Sequence, residues 1–456
     1  MAVVSIIQKS QLEGAKRLDA EYYQPEYLAL QKNLERTKSI TLWGEIEGRF
    51  ITGPFGSEFN TENYVQEGEY RYVRGKDVKD FFPTDEDNVY IPKEDYERLK
   101  KYSLSEGDIL ISVVGTPGIG AIVDSTLPPA IFSCKSTVYR TKSINPFYFI
   151  AYLNSSYGRK LLERSVRGAV QTGLNIDDLR DLPVFLPSAD IQEKIGNEVK
   201  NAKKTLDESK SLYSQAEALL LEELGLKDFK ADEDLYSVVN FSEIKSLNRM
   251  DAEYFQPKYE KIISVSRKHG GKALGELSTV KKGFEPGADA YEDEGKLFIR
   301  VSSVSKHELL EKDQKYISKK LYDELKKEYE PNKGEILLTK DASPGVAYVL
   351  DTPVEGIISS GILRLKLKEE INPDYLALCI NSVIGQMQVE RDAGGSVIAH
   401  WKPEQVKSLI VPILPKATQG KIAGLVQESH VARKKAKELL EEAKRAVEEL
   451  IETKAK

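Results

Sequence analysis

The sequence predicts an α+β protein in which one mixed, strand-rich domain occurs twice and each copy is followed by a long coiled-coil helix. Three observations predict it: an internal repeat with a period of about 230 residues, short apolar runs of strand length in each half, and two charged segments with heptad spacing. Repeats of about 20–50 residues would signal a solenoid or propeller, whereas a period this long means two whole domains.

The repeat is legible in blocks. Residues 17–27, Arg-Leu-Asp-Ala-Glu-Tyr-Tyr-Gln-Pro-Glu-Tyr, return at 249–259 as Arg-Met-Asp-Ala-Glu-Tyr-Phe-Gln-Pro-Lys-Tyr. Gly107-Asp108-Ile109-Leu110 answers to Gly334-Glu335-Ile336-Leu337, and Ile144-Asn145-Pro146 to Ile371-Asn372-Pro373. Gln192-Glu193-Lys194-Ile195 answers to Gln419-Gly420-Lys421-Ile422. The blocks keep their order, which duplication explains and chance does not. Two similar modules suit two similar features of one extended ligand, although a duplicated fold need not carry that meaning.

The elements follow in chain order. Met1 to Ile7 lacks a basic leading region and is short, so it reads as a strand and not as a signal peptide. The repeated Asp-Ala-Glu-Tyr segment opens a short helix. Arg71-Tyr72-Val73-Arg74 and Asp108 to Val114 read as strands, with turns at Gly53-Pro54, Pro117-Gly118 and Pro128-Pro129. Phe298 to Val301 and Glu335 to Thr339 take the same places in the second half.

Apolar or small residues then recur at Ile195, Val199, Ala202, Leu206, Ser209, Tyr213, Ala216 and Leu220, a heptad seam. The later series is Ile422, Leu425, Ser429, Ala432, Ala436, Leu439, Ala443, Ala446 and Leu450. Neither stripe is broad enough to stand alone, so the two helices are expected to pair. Gly225 caps the first long helix. The layout is therefore a first domain over 1–186, a long helix over 187–225, a linker over 226–236, a second domain over 237–414 and a second long helix over 415–456. A helix from Ile195 to Leu224 is about 45 Å long at ~1.5 Å per residue. That equals the rise of about 13 base pairs at ~3.4 Å each, so a paired rod could hold two DNA readers about one helical turn apart, or serve simply as a dimerisation or scaffold helix.

Composition narrows the function. The 456 residues are 40% hydrophobic and 30% charged, a globular profile, and no apolar run approaches the roughly 20 residues of a membrane span. Cys134 and Cys379 are too few for a disulfide framework, and a cytoplasmic location is expected. His269, His307, His400 and His430 show no metal-ligand spacing, and with no nucleotide or metal motif no cofactor is expected. The net charge of −6 argues against a protein that binds DNA alone, because phosphate neutralisation supplies most such affinity.

The whole pattern resembles the specificity subunit of Type I restriction-modification systems. The paired Asp-Ala-Glu-Tyr-[Tyr/Phe]-Gln-Pro segments and the Gly-[Asp/Glu]-Ile-Leu turns carry the likeness. So do Leu182-Pro183-Val184-Phe185-Leu186-Pro187 before Gln192 and Val411-Pro412-Ile413-Leu414-Pro415 before Gln419, although Gly420 departs from the commoner Glu. The resemblance implies two target-recognition domains separated by antiparallel coiled-coil helices with pseudo-two-fold symmetry. Each domain would read one half of a split site in double-stranded DNA. Such a chain is a non-catalytic adaptor that binds two modification subunits, which carry S-adenosylmethionine, and restriction subunits. The modification subunits would supply the missing positive charge.

Asn145-Pro146-Phe147-Tyr148 is similar to the Asn-Pro-Pro-Tyr motif of adenine methyltransferases, which would make the chain an enzyme. Its repeat, Asn372-Pro373-Asp374-Tyr375, also precedes an apolar helix, and Asn as cap with Pro at the first helical position explains both. A scaffold that holds proteins without touching DNA is the other alternative. Gly115-Thr116-Pro117-Gly118-Ile119-Gly120 lacks the Lys of a phosphate loop and reads as a turn.

Candidate DNA contacts are donors that differ between the halves. In the first they are Arg71, Arg74, Lys76, Lys79, Lys135, Arg140, Arg164, Arg167 and Gln171. In the second they are Lys281, Lys282, Arg300, Ser302, Lys306, Lys340, Arg391, His400 and Lys402. Arg to guanine and Gln to adenine are the expected base contacts, with most of the set serving phosphate. Tyr22, Tyr23, Tyr254 and Phe255 recur in both halves, which suits either docking of a modification subunit or packing.

Overall fold

The structure is a computed structural model that describes residues 4–10, 12, 17–168, 172–230, 236–247, 249–311, 314–368, 370–393 and 400–455. It divides into two compact units, Met1–Thr205 with Lys434–Lys456, and Leu206–Arg433.

In the first unit α1 (Pro25–Arg36) leads to β1 (Ile40–Leu42), β2 (Gly48–Thr52), β3 (Tyr70–Val73) and β4 (Tyr90–Ile91). After α2 (Lys93–Arg98) come β5 (Ile109–Ser112), β6 (Gly120–Ile122), β7 (Ala130–Phe132) and β8 (Ser136–Thr141). Then follow α3 (Pro146–Asn154), α4 (Ser156–Ser165), α5 (Ile176–Arg180), β9 (Pro183–Phe185) and the long α6 (Ala189–Glu223). An antiparallel sheet has the order β2-β8-β5-β6; a second, β4-β3-β7, pairs β3 and β7 in parallel; β1 pairs with β9. Every residue of β5 is buried, which is why it reads as a continuous apolar run and not as an alternation.

The second unit repeats this order. It contains α7 (Phe241–Leu247), α8 (Pro257–Lys268), β10 (Lys272–Ala273), α9 (Leu274–Leu277), β11 (Ser278–Lys282), β12 (Lys296–Ile299) and β13 (Lys315–Ile317). Next are α10 (Lys319–Tyr329), β14 (Ile336–Thr339), β15 (Ala347–Val349), β16 (Gly356–Ile358) and β17 (Ile362–Leu367). It ends with α11 (Pro373–Asn381), α12 (Val383–Asp392), α13 (Pro403–Ser408), β18 (Ile410–Val411) and the long α14 (Lys416–Ala455). The sheets run β11-β17-β14-β15, β13-β12-β16 and β10-β18, the orders of the first unit.

The repeated motifs turn out to be one bonded network per unit. Gly107 and Gly334 take the left-handed φ of +85° and +87° that a side chain disfavours. The acid after each accepts a turn amide: Ser105 N to Asp108 at 2.8 Å, Asn332 N to Glu335 at 2.7 Å. Asn145 Oδ1 accepts from the Phe147 and Tyr148 amides at 3.0 and 3.2 Å, and Asn372 Oδ1 from Asp374 and Tyr375 at 2.9 and 3.3 Å. Each is an N-cap with proline at the first helical position. Gln192 and Gln419, at the start of the long helices, accept from the backbone amides of these same asparagines at 3.1 and 3.2 Å. The buried Tyr148 and Tyr375 hydroxyls donate to the carbonyls of Phe185 and Pro412 at 2.6 and 2.8 Å. The Asn-Pro, Gln and Pro-rich blocks thus recur together because they bond to one another.

In α6 the seam lies where its spacing predicts it. Ile195, Val199, Ala202, Ser209, Tyr213, Ala216 and Leu220 are buried, with Leu206 half-buried. In α14 the expected Ile422, Ser429, Ala436 and Ala443 are buried and Ala432 and Leu439 half-buried, but three expected positions give way to the next residue. Val426, Val447 and Ile451 are buried where the heptad series chose Leu425, Ala446 and Leu450. Each buried residue has an apolar neighbour in sequence, so spacing alone could not select between the two stripes.

The two helices pack antiparallel. In the second unit the late part of α6 meets the early part of α14: the Ser429 hydroxyl donates to the Ser209 carbonyl at 2.7 Å, and Leu220 and Leu224 share a core with Ile422 and Val426. The first unit holds the opposite ends, in which Ile195, Val199 and Ala202 of α6 and Ala443, Val447 and Ile451 of α14 are each buried. Gly225, at φ +67°, closes α6 through Gly225 N to the Glu222 carbonyl (3.0 Å) and Leu226 N to the Leu221 carbonyl (2.7 Å), a Schellman cap. Among the described residues no helix is long and apolar enough to cross a membrane, and no group of three or more His, Cys, Asp or Glu could hold a metal ion.

Candidate nucleic-acid interface

The loops beyond β5 and β14 meet their neighbours through equivalent backbone bonds. Ser112 Oγ accepts from Ile119 N at 2.9 Å and Thr339 Oγ1 from Val346 N at 3.0 Å, which turns each chain back on itself. Just before the turn, Val113 N donates to the Lys135 carbonyl and Lys340 N to the Gly361 carbonyl, both at 2.9 Å. Leu174 N donates to the Val113 carbonyl at 3.0 Å, and Trp401 N to the Lys340 carbonyl at 2.8 Å. Val114 forms an antiparallel bridge with Gly173, and Asp341 forms the same bridge with His400.

The loop after β3 closes one side of this edge. A Cβ on Gly75 would lie 2.9 Å from the Lys135 Cβ, and one on Gly361 would lie 2.6 Å from a Val301 methyl. Each unit therefore gathers the loop after β3 or β12, the turn before β8 or β17, the turn after β5 or β14 and one further segment. The frame is shared, and the side chains differ. Where the first unit has Val113, Val114, Lys135 and Gly173, the second has Lys340, Asp341, Gly361 and His400.

The structure sorts the candidate contacts by what their side chains touch. Arg71 is 2% exposed and its guanidinium donates to the Thr84 carbonyl, so it braces the domain from within and presents nothing to a duplex. Arg74 clasps Asp77 at 2.9 Å, with the Asp87 carbonyl as a further acceptor. Arg140 holds Asp108 through two bonds of 2.6 Å and so secures the turn before β5. Arg164 is buried, donating to the Tyr22 carbonyl at 2.8 Å and to Gln31 at 2.7 Å. Arg391 donates to Asp392 at 2.9 Å. These five arginines serve the fold, because a run of donors in sequence looks the same whether acceptors lie inside or outside the domain.

The remaining candidates reach the surface. Lys76 is exposed and bonds Asp87 at 2.7 Å, while Lys79 and Lys135 are exposed with no ion pair among the described residues. Arg167 is half-exposed beside Asp178 (2.9 Å), and its backbone pairs with Gly173. Gln171 lies outside the described residues. In the second unit Lys281 pairs with Glu328 at 3.3 Å; Lys282, Ser302 and Lys402 are exposed. Lys306 is exposed, its ammonium 5.1 Å from the Tyr213 ring centre, and Arg300 is half-buried and engaged within its surroundings.

Lys340, Asp341 and His400 form one cluster. Lys340 Nζ lies 2.5 Å from one carboxylate oxygen of Asp341, and His400 Nδ1 2.8 Å from the other. Partial burial works to raise the Asp341 carboxyl, but the bonds from Lys340 and His400 outweigh it and hold it below the ordinary carboxylate range. His400 is 60% exposed and Asp341 22%. Asp341 is neither a cation nor an amide, so donor chemistry in the sequence does not single it out. Laying the two halves over one another exposes it, as an acid where the first half has Val114.

The repeated aromatic segment has a different role from the edge. The guanidiniums of Arg17 (4.6 Å) and Arg164 (3.9 Å) both lie over the Tyr22 ring, and those of Arg249 (4.2 Å) and Arg391 (4.9 Å) over the Tyr254 ring. Arg17 chelates Asp19 and also donates to the carbonyls of Ser165 and Val166, which fastens this segment to the end of α4. The Arg17 bond holds the Asp19 carboxyl below its ordinary range, and Arg249 does the same for Asp251. Tyr23 is buried, donating to the Arg17 carbonyl at 2.9 Å, and Phe255 is half-buried against Tyr254. Tyr23 is thus a packing residue and not a docking surface. Asn145, whose amide oxygen is spent on two backbone amides, caps α3.

The family model for the Type I restriction modification DNA specificity domain matches the chain twice, over residues 55–218 and 270–430. No curated protein matches. Among solved structures, the S subunit of a Type-I restriction-modification system from M. genitalium aligns at 14% identity over 91% of this chain and 95% of that one, with a TM-score of 0.42. The HsdS subunit from Thermoanaerobacter tengcongensis aligns at 13% identity over 91% and 96%, with a TM-score of 0.29.

Proposed function

The chain belongs to the Type I restriction modification DNA specificity family, and from that premise we propose that it selects the DNA target of a modification and restriction complex without catalysing either reaction. Each unit reads one half of a bipartite site in double-stranded DNA, the paired α6 and α14 set the spacing, and the chain recruits two modification subunits and the restriction subunits. The observation that supports this reading is the edge described above: one frame of backbone bonds built twice, carrying different side chains. A duplicated reader of an asymmetric site needs that combination, because a shared frame presents to the grooves whatever each copy carries. Lys76, Lys79, Lys135 and Arg167 supply cations in the first unit, Lys282, Ser302, Lys306 and Lys402 supply donors in the second, and the second unit adds the exposed imidazole of His400. With a net charge of −6, clamping of the duplex falls largely to the modification subunits.

Methylation by the chain co-expressed with its modification subunits, mapped base by base, tests the proposal. A split motif of two short half-sites that disappears when this chain is omitted is the expected result. Methylation that persists without it, or that follows an undivided motif, refutes it and favours a scaffold.

A further inference from the structure

We propose that Asp341 and His400 read one base pair of the second half-site, His400 Nε2 accepting a hydrogen bond from an exocyclic amino group while Asp341 fixes the ring. The proposal rests on the DNA-reading function above and adds to it a chemical assignment.

A bridge in the same place occurs in both units. Val114–Gly173 and Asp341–His400 are antiparallel bridges reached by the same backbone bonds, from Leu174 N to the Val113 carbonyl and from Trp401 N to the Lys340 carbonyl. The first unit closes this bridge with an aliphatic side chain and none at all, so the fold does not require a polar pair there. The second unit nevertheless places a charged group and an imidazole at the two positions, and leaves the imidazole 60% exposed.

The bonding pattern sets the chemistry. A carboxylate can only accept, so the 2.8 Å contact from Asp341 Oδ1 requires the proton on His400 Nδ1. When Nδ1 carries the ring's single proton, Nε2 is an acceptor whose direction the Asp341 bond sets. Lys340 Nζ bonds the other carboxylate oxygen, so both oxygens of Asp341 are engaged within the cluster and a cation offsets its charge. In the major groove the exocyclic amino donors are N4 of cytosine and N6 of adenine, and these are the groups an oriented imidazole acceptor selects. Lys340 is 11% exposed and acts through Asp341, as a positioning residue.

The test uses the chain co-expressed with modification subunits and a map of methylated sites. The wild type must first give a split motif; if it does not, the general reading fails and the outcome is not charged to this pair. His400→Ala should then broaden a single position, a cytosine or adenine of one half-site, with discrimination there falling by on the order of tenfold. The other half-site should be unchanged. Asp341→Asn should weaken the same position to a smaller degree. Asp341→Val combined with His400→Gly installs the side chains that close the first unit's bridge, and covers the case in which His400→Ala abolishes methylation. Retained methylation with that one position broadened upholds the proposal. An unchanged motif, broadening in the other half-site, or abolition by every variant overturns it, the last because the pair would then be structural.

Discussion

Replacing Lys203 with methionine should destabilise the first unit more than any other single charge removal on α6. Lys203 Nζ lies 3.2 Å from Asp124 Oδ1 and 2.8 Å from Thr126 Oγ1, and the two charged side chains are only 10% and 11% exposed. Burial works to raise the Asp124 carboxyl, but hydrogen bonds from Thr126 and the Lys203 ammonium prevail and keep it ionised below its ordinary range. Removing one partner of such a pair costs about 3–5 kcal/mol, since it strands the other charge in a poor solvent. The Thr126 amide still bonds Asp124 at 2.8 Å, and methionine keeps most of the buried stem, so the expected cost is about 3 kcal/mol. Lys203→Met with Asp124→Asn removes the stranded charge and should recover about half of that loss. Urea denaturation followed by tryptophan fluorescence measures it, in a Trp401→Phe background so that Trp43, buried in the first unit, is the sole reporter. A single-variant cost below about 1 kcal/mol, or a double variant less stable than the single, would refute the argument.

Further outcomes follow from the same geometry. His430 stands in α14 where Lys203 stands in α6, counted from Gln419 and Gln192. Burial holds its imidazole below the ordinary 6.5, against the pull of Asp374 and Asp351 and with some help from Arg433. A folded value below the unfolded one means that acid favours the unfolded chain. His430's contribution is therefore complete above about pH 6.5 and is lost as pH falls through 6.5 and the folded value. Thermal unfolding followed at Trp401 should shift down on acidification over that window, and His430→Gln should flatten the shift. Asn145→Ala and Asn372→Ala should each cost about 1 kcal/mol as lost helix caps while leaving the methylated motif unchanged. Loss of methylation by folded Asn145→Ala would restore the catalytic reading. Tyr375→Phe leaves the Pro412 carbonyl without its 2.8 Å donor and should cost about 1–3 kcal/mol, read as a lower urea midpoint with an unchanged slope.

Much of the architecture was legible because it is encoded by spacing. The four ordered blocks gave the duplication, and the alternation of threes and fours placed the seam of α6. Asn-Pro as cap and first helical residue, and Gly225 as helix terminator, depend on local backbone chemistry and were readable for that reason. Three seam positions of α14 were not, since Leu425 and Val426, or Leu450 and Ile451, are equally apolar neighbours and only the packed partner chooses between them. Candidate contacts were the least legible. Arg71, Arg140 and Arg164 are chemically suited to DNA, yet each meets an acceptor brought close only by folding: Thr84, Asp108 and Tyr22.

By itself, then, the sequence determined that one α+β module is built twice and joined through two heptad helices, because periodicity and capping act over a few residues and need no knowledge of the rest of the chain. Tertiary structure alone decided which cations are spent inside the fold, which stripe of α14 is buried, and that Asp341 and His400, far apart in sequence, meet at one bridge. Such pairings depend on which backbone strands lie side by side, and a single chain of letters carries no direct record of that distance.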